Sequence, residues 1–386
     1  MRAPHPDDFT SRLRSPAVAA RVGVWLGACF LICFATGLVS HWAQLPAPAI
    51  PFPTRPAWGY RVTQGLHVVT GCAAVPLMLV KLWAVYPRLF ERVDLRAGRQ
   101  ALLVGLERAS IGVLVAAAIF QLATGLANAA QWYPWSSFSF RTAHYALAWV
   151  AIGALVLHVA VKLPMIRAAL GADVDDEALD RPGALRAGAV SRRALLRGTW
   201  AAAGIAVLAT AGGTVPWLRQ VSVLAVRTGE GPGGVPINKT AAAAGVLDTA
   251  TDRGWALDVR VDGSVAARLT LADLRALPQH TVDLPIACVE GWSAQGRWSG
   301  VRVRDVVAAA GAAGGADVVV TSLQESGPFT RTVLPAAFVE DERTLLALDL
   351  AGEPLDLDHG FPVRVIAPNR PGVLQTKWVA SLEVTT

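Results

Sequence analysis

Cysteine is scarce in this chain: four residues in 386, at Cys29, Cys33, Cys72 and Cys288. So few thiols exclude a disulfide-stapled scaffold. Charge is scarce too. Asp, Glu, Lys and Arg make up 17%, against about 25% in soluble domains, so the whole chain is not an ordinary soluble protein. Downstream of residue 225 there is no glycine-rich P-loop, no dinucleotide fingerprint and no Gly-x-Ser-x-Gly elbow, which removes the common nucleotide-binding and serine-hydrolase designs. The net charge of +6 raises the question of nucleic acid. The basic residues instead cluster between apolar segments, where they act as topology signals, so no nucleic-acid partner is expected.

What the sequence has is apolar length. Five segments, at about 22–42, 62–86, 102–127, 142–166 and 199–218, reach the roughly 20 apolar residues that cross a bilayer. Arg2, Arg12, Arg14 and Arg21 precede the first. Arg88, Arg92, Arg96 and Arg99 separate the second from the third, and Arg167, Arg181, Arg186, Arg192, Arg193 and Arg197 the fourth from the fifth. The alternate loops carry only Arg55 and Arg61, and Arg141. The positive-inside rule places the N-terminus in the cytoplasm and everything after about 220 outside. Trp42, Trp58, Trp132, Trp135 and Trp217 then fall at the outer ends, as an aromatic belt would. Residues 171–198 read as a cytoplasmic linker. Its end, Ser191-Arg192-Arg193-Ala194-Leu195-Leu196-Arg197, resembles a twin-arginine export signal, which implies the twin-arginine translocase as a partner and a cofactor acquired before export; it also reads as positive charge ahead of a helix.

Four of the seven histidines lie in or beside the spans: His41, His67, His144 and His158. Ionisable groups at membrane depth are costly and default to a functional hypothesis. A neutral imidazole is the commonest axial ligand of haem iron; the same residues can also be satisfied polar groups lining a helix interface. His144 and His158 are 14 positions apart on one helix, near four whole turns and about 21 Å. His67 and His144 sit at the outer side and can bracket one outer haem. His158 lies toward the cytoplasm, and a second, inner haem there would need a mate that the first span does not offer. The first four spans, within 1–170, resemble the four-helix membrane b-type cytochromes that carry electrons to and from quinones. That resemblance implies haem b and a membrane quinone or quinol partner. His41, at the outer end of the first span, stands as an alternative outer ligand or as a border of a quinone pocket. Cys29, Cys33 and Cys72 read as packing residues.

From residue 219 onward the texture is that of a soluble domain. Gly231-Pro232-Gly233-Gly234-Val235-Pro236 is a linker by composition. Strand-like runs at Trp255–Val261, Val318–Ser322 and Val363–Ala367 mix with helical patterns at Leu271–Ala276 and Val303–Ala310, without a regular βαβ repeat. The expected fold is a membrane all-α bundle of five transmembrane helices followed by an α+β domain.

Cys288 follows an apolar run and precedes Val289-Glu290-Gly291-Trp292-Ser293. On its own such a cysteine is a buried small hydrophobe, a nucleophile or a soft thiolate ligand. Around it, Cys288-Val289-Glu290-Gly291-Trp292-Ser293 and Trp298-Ser299-Gly300-Val301 resemble the molybdenum-binding segment of the sulfite oxidase superfamily. His359-Gly360-Phe361-Pro362-Val363-Arg364, then Gly372 and Lys377-Trp378, resemble its later signatures, and Val235-Pro236-Ile237-Asn238-Lys239-Thr240 its opening segment. The resemblance implies a sulfite-oxidase-like molybdopterin domain in which Cys288 ligates molybdenum. Asn238, Lys239, His359, Gly360, Arg364, Gly372 and Lys377 would then bind the molybdopterin. Arg364 offers a planar fork to its phosphate and Lys377 a point charge. Relatives carry a second basic residue between Gly372 and Lys377; this chain has Leu374 and Gln375 there. The Cys-Val-Glu-x-Trp-Ser form is similar to the catalytic subunit of periplasmic methionine-sulfoxide reductase. By analogy Gln324-Glu325-Ser326-Gly327 borders the substrate mouth, with Glu325 a candidate contact.

The expectation is a membrane-bound molybdenum oxidoreductase with its oxygen-atom-transfer site outside. It would exchange electrons with the quinone pool through haem b and reduce a sulfoxide, small or in a protein. The rivals are a sulfite-type dehydrogenase passing electrons inward, a membrane-anchored binding module without metal, and a quinone-linked cytochrome with an inert outer domain.

Overall fold

The computed structural model describes residues 4–91, 98–133, 139–184, 186–225 and 231–384. Arg2, Arg92, Arg96 and Trp135, used above as topology signals, lie outside the described residues. The chain forms two compact units. One comprises 1–37, 66–212 and 218–225; the other comprises 38–65, 213–217 and 226–386.

Five helices are long and apolar enough to cross a membrane. They are α1 (Pro16–Ala43), α2 (Gly59–Val85), α3 (Arg99–Ala129), α4 (Phe140–Gly171) and α5 (Arg192–Thr210). Within the first unit Val18, Val22 and Leu77 form a packed seam joined by Leu195 and Leu196, so α1, α2 and α5 share a core. Large apolar side chains remain exposed along these helices, such as Trp25 and Leu31 on α1, Leu106 on α3, Val156 on α4 and Ile205 on α5. A helix apolar on every side is the pattern of a segment solvated by lipid. Glu107 on α3 and Lys162 on α4 form an ion pair across the bundle. The fifth helix departs from the sequence reading. It starts seven residues earlier, at Arg192, capped by Ser191 Oγ accepting from the Ala194 N–H, and ends at Thr210 rather than near 218. Short 3-10 turns at Ala211–Gly213 and Pro216–Leu218 follow, because Gly212, Gly213 and Pro216 cannot sustain a helix.

The twin-arginine pair divides its labour. Arg192 is 5% exposed. It donates to the carbonyls of Arg12, Val174 and Asp176 and pairs with Asp180, tying the 171–191 segment to the N-terminal residues. Arg193 is exposed and pairs with Asp173 and Asp175.

In the second unit short helices α6 (Ala241–Ala244) and α7 (Leu247–Thr251) precede two sheets, one mixed and one antiparallel. The strands are β1 (Ala256–Val261), β2 (Ser264–Thr270), β3 (His280–Ala287), β4 (Ser293–Arg302), β5 (Val318–Ser322), β6 (Arg331–Leu334), β7 (Leu345–Leu350), β8 (Glu353–Pro354), β9 (Arg364–Ile366) and β10 (Val379–Val384). Between them come α8 (Leu271–Ala276), α9 (Val303–Ala309) and α10 (Ala336–Val339). One sheet has the order β2-β1-β10-β5-β6, with β10 parallel to β1; the other runs β3-β4-β7-β8, with β9 also on β7. Leu257, Val259, Val301, Val320, Leu346, Val365 and Leu382 belong to one continuous core fed by both sheets. The unit is the expected α+β type. The expected strand at 255–261 starts one residue later, that at 363–367 is shorter by one residue at each end, and the helix at 303–310 stops at Ala309.

The second sheet positions the cysteine. β3 delivers its last residue, Ala287, beside Ser293 of β4, so residues 288–292 form the turn between them. β9 is buried along its whole length, and residues 362–372 are all buried. At Gly300 the β4–β7 register shifts, and a Cβ there would overlap the Leu346 carbonyl oxygen. Gly300→Ala must therefore push two paired strands apart. We expect it to cost about 1–3 kcal/mol, the range for overpacking a core, read as a lower unfolding midpoint in denaturant.

Candidate molybdopterin site and a histidine pair

Cys288 is 1% exposed and heads a tight turn. Its N–H donates to the Trp292 carbonyl (2.9 Å), and its carbonyl accepts from Gly291 N–H (3.1 Å). Gly291 closes the turn at φ 81°, where a side chain is strained. Trp292 Nε1 donates to Glu290 Oε2 (3.0 Å). Burial, with Glu290 adding to it, pushes the Cys288 thiol up to about 12, against the pull of the Glu290 and Val289 N–H groups and of Lys377. A catalytic nucleophile needs the opposite shift, so the nucleophile reading loses its basis. A thiolate here needs a cation bound to it.

Two buried cations, Arg364 and Lys377, lie near this turn with His359 next to them, and the hydrogen bonds of both cations go to backbone carbonyls rather than to acids. Arg364 on β9 is 2% exposed. Its Nη1 donates to the His359 carbonyl at 3.3 Å, its guanidinium lies 5.2 Å from the Trp298 ring centroid, and its Nε meets no acceptor. Burial lowers it to about 9, and Cys288 is the one group opposing that shift. Lys377 is 8% exposed and donates to the carbonyls of Lys239 (2.9 Å) and Asp358 (2.7 Å). Burial, with Arg364 adding to it, lowers it to about 7. His359 is fully buried, and neither ring nitrogen finds a partner in good hydrogen-bond geometry. Burial, then Arg364 and Lys377, hold it down to about 4, against weaker pulls from Asp356 and the Pro232 backbone. Buried donors left unpaired are expensive. A set of them around one sulfur fits an anionic group that brings its own acceptors, which is what a phosphate-bearing dithiolene cofactor is.

The backbone supports the same cradle. Gly360 (φ 108°) lies so close to Lys377 that a Cβ would fall 3.0–3.1 Å from its Cβ and Cα. A Cβ on Gly372 would sit 3.1 Å from the Ala287 carbonyl oxygen, so that glycine lets the 370–374 loop close on the root of the cysteine turn. Asn238 is half-buried, with Oδ1 accepting from the Lys239 N–H (3.0 Å). Lys239 Nζ donates to Gln324 Oε1 (3.2 Å), which joins the opening segment to the 324–327 loop. The Glu325 carboxylate faces Gly245 rather than the cysteine turn.

Sequence reasoning missed Arg370 and Thr214 here and noted Gln375 only as a departure from relatives. Arg370 is 4% exposed, lowered to about 9 by burial, with Nη2 donating to the Val333 carbonyl (2.9 Å) and Nε unpaired. Gln375, standing in the loop where relatives carry a basic residue, clamps Ala367 through both its N–H and its carbonyl and donates to the Arg370 carbonyl. Thr214 donates to the Gly291 carbonyl of the cysteine turn. Charge at buried Arg370 was visible only as the dipeptide Asn369-Arg370 between two apolar stretches; Thr214 carried no signal at all.

In the first unit, His67 of α2 and His144 of α4 bring their ring centroids within 6.1 Å, tilted by 60°. Each is held through Nδ1. His67 Nδ1 meets the Cys33 carbonyl (2.9 Å) and Thr36 Oγ1 (3.1 Å), and His144 Nδ1 meets Thr124 Oγ1 (3.0 Å). Gln121 Nε2 fixes the His144 carbonyl (2.9 Å). A ring steered through Nδ1 offers Nε2 to a metal. With metal–nitrogen bonds of about 2 Å, imidazoles on opposite sides of one metal have centroids about 6 Å apart. Gly37 and Gly125 back the two rings, a Cβ there falling 3.3 Å from His67 Cε1 and 3.6 Å from His144 Cε1. Among the described residues no cluster of three or more His, Cys, Asp or Glu could hold a metal ion. His158 is half-buried, and its charged neighbours are Lys81, Lys162 and Glu107. His41 is exposed in the last turn of α1.

The α+β fold, the cysteine turn and its unpaired cations define a cofactor-binding domain, and comparison with known families names its class. Residues 244–386 match the family model of the oxidoreductase molybdopterin binding domain. The chain is 30% identical over 157 residues to mitochondrial sulfite oxidase of Rattus norvegicus, covering 33% of this chain and 28% of that protein. It is 34% identical over 118 residues to the uncharacterized oxidoreductase YuiH of Bacillus subtilis (strain 168), covering 30% and 58%. It is 34% identical over 116 residues to YedZ1 of Azospira oryzae, named as a protein-methionine-sulfoxide reductase subunit, covering 30% and 43%. The chain thus spans under two thirds of each of these relatives. Among solved structures, sulfane dehydrogenase SoxCD of Paracoccus pantotrophus matches 34% of this chain and 38% of its own, at 23% identity and a TM-score of 0.31.

Arg364→Met keeps the bulk of the side chain and removes its charge. We expect purified Arg364→Met to retain its fold, by circular dichroism, and to lose most of its bound pterin, measured by fluorescence after oxidative release.

Proposed function

We propose that this chain is a membrane-bound molybdenum oxidoreductase that transfers an oxygen atom at the Cys288 site and exchanges electrons with quinones through haem b. The observation that carries the reading is the buried Cys288 turn with the buried cations Arg364 and Lys377 beside it, where Arg364 Nε and both ring nitrogens of the neighbouring His359 are left without a partner. When bound, molybdopterin supplies a metal that cycles by two electrons while an oxygen atom enters or leaves the substrate. The protein's own share is positioning. Cys288 provides a soft thiolate, its proton lost to solvent on metal binding. Arg364 and Lys377 neutralise the cofactor's anionic charge, and His359, neutral at physiological pH, offers one donor and one acceptor. Trp292 and Trp298, both buried, keep bulk water from the sulfur and strengthen each of these contacts.

In the first unit, His67 and His144 would hold one haem through Nε2, with Thr124 and the Cys33 carbonyl fixing the ring orientations. His158 carries a different kind of neighbourhood, two lysines and a glutamate, which favours a single haem over two. The unit to which His67 and His144 belong holds the greater part of the five apolar helices. Quinol is therefore the natural lipid-soluble electron donor, with the molybdopterin domain outside and the N-terminus in the cytoplasm. In the reductive direction the substrate is a sulfoxide or similar oxide. The likeness to sulfite oxidases favours a second reading, oxidation of sulfite or a related donor with electrons passed inward.

We expect the purified protein to contain about one molybdenum per chain by mass spectrometry, and Cys288→Ser to lose that metal or its turnover. Absence of molybdenum from the wild-type protein would end the reading. We also expect a b-type haem spectrum that Cys288→Ser leaves intact and His67→Ala or His144→Ala abolishes. Reduced with a quinol analogue, that spectrum should be reoxidised by methionine sulfoxide if the flow is outward; reduction of the oxidised haem by sulfite indicates the second reading.

A further inference from the structure

The outer loop between α1 and α2 is built into the same compact unit as the molybdopterin domain, although some 200 residues separate them in sequence. So are residues 213–217, just after α5. The contacts are specific. Val333 N–H of β6 donates to the Pro46 carbonyl at 2.7 Å. Asn369 makes three bonds: its N–H to the Ala57 carbonyl (3.2 Å), Nδ2 to the Pro53 carbonyl (2.7 Å), and Oδ1 from the Tyr60 N–H (2.5 Å). Ala43, Tyr60 and Ala287 bury one another, with Phe52 against them. Thr214 donates to the Gly291 carbonyl. Two of these contacts grip the Cys288 turn itself, at Ala287 and at Gly291.

Asn369 is strained by this arrangement. It is 3% exposed and sits at φ 55°, a conformation that is uncommon for any residue but glycine, though Asn is among those that tolerate it. Such strain persists where surrounding contacts over-determine it, and here all three bonds of Asn369 reach into the 53–60 segment. Its neighbour Arg370 supports the same surface, donating to the carbonyl of the Val333 whose N–H holds Pro46. Tyr60 is fixed from its other end: its hydroxyl joins Ser40, Gln44 and, through Ser40, Gln64 in a buried hydrogen-bonded network at the outer ends of α1 and α2.

We infer that residues 44–60 and 213–217 form a built-in docking site for the molybdopterin domain, residues 235–384, with Asn369 as its anchor. The domain is then held by this surface and not by the linker that precedes it. Its partner is a segment of its own chain: an extended, proline-containing strap that offers backbone carbonyls to β6 and to Asn369. This inference does not depend on the substrate, the direction of electron flow or the presence of haem.

The test is cleavage. A protease site inserted between Pro232 and Gly233, in an exposed stretch, is cut in the detergent-solubilised, cofactor-loaded protein, and gel filtration asks whether the two fragments travel together. With the docking residues intact they should co-elute. Asn369→Gly relieves the left-handed backbone and removes only the side-chain bonds. Tyr60→Ala changes the other fragment, so it cannot act by misfolding the molybdopterin domain. Each should release the domain at least about tenfold faster, as expected for loss of roughly 1.4 kcal/mol or more. Hydrogen exchange should show the Val333 amide losing protection in both variants while the β7 amides stay protected. Separation of the fragments on cleavage of the unsubstituted chain overturns the inference. So does undiminished association in both variants.

Discussion

Burying positive charge without a negative partner is the constraint on which the second unit turns. Arg364 and Lys377 sit by the Cys288 turn and donate to backbone carbonyls, with the neutral, unpaired His359 ring next to them. Removing such groups from water costs several kcal/mol each unless something offsets it. The Trp298 and Trp378 rings lie against the two cations, and the Asp358 and Glu290 carboxylates act on Lys377 without forming an ion pair with it. The charge deficit is therefore left for a ligand to fill, and the protein holds the deficit open at the expense of its own stability. Cofactor binding and folding are coupled in such a site, because the bound anion relieves a penalty that the unfolded chain never bears.

The scaffold reflects that constraint. Residues 362–372 run through the interior as an unbroken buried stretch, and each polar backbone group there needs a partner. Gln375 serves Ala367 and Arg370, Lys377 takes the Asp358 carbonyl, and the Ser322 hydroxyl takes the Lys377 carbonyl. The glycines at 360 and 372 permit the close approaches that bring this stretch against Lys377 and Ala287. The histidine pair follows a related rule. Its rings are aimed by Nδ1 contacts to Thr124, Thr36 and a backbone carbonyl, so orientation is set before any ligand arrives.

Much of this was legible in the sequence. Long apolar runs declare helices because their length is set by the thickness of a bilayer, and four of the five were located within a few residues of their ends. The fifth was misplaced because hydropathy does not see that Arg192 can be buried by Asp180 and three carbonyls, nor that Gly212 and Gly213 stop a helix. The cysteine turn, Arg364 and Lys377 were legible as motifs, since their spacing is local. Strands β2, β3, β4, β6, β7, β8 and β10 were not, because pairing, rather than propensity, makes them strands. Thr214 and Asn369 were invisible for a similar reason, and Gln375 was noticed only as a missing basic residue: a single hydroxyl or amide acquires meaning only from the group it meets.

The position of β10 has a kinetic consequence. This strand, residues 379–384, is not at a sheet edge. It lies between β1, to which it is parallel, and β5. Until it is in place, β1 and β5 have no common neighbour and the first sheet exists only as two separate hairpins, β1–β2 and β5–β6. Pairing across more than about 100 residues closes large loops and is intrinsically slow. Assembly of the domain is thus governed by a late, long-range closure, during which the apolar flanks of β1 and β5 are unpaired edges vulnerable to association with other chains.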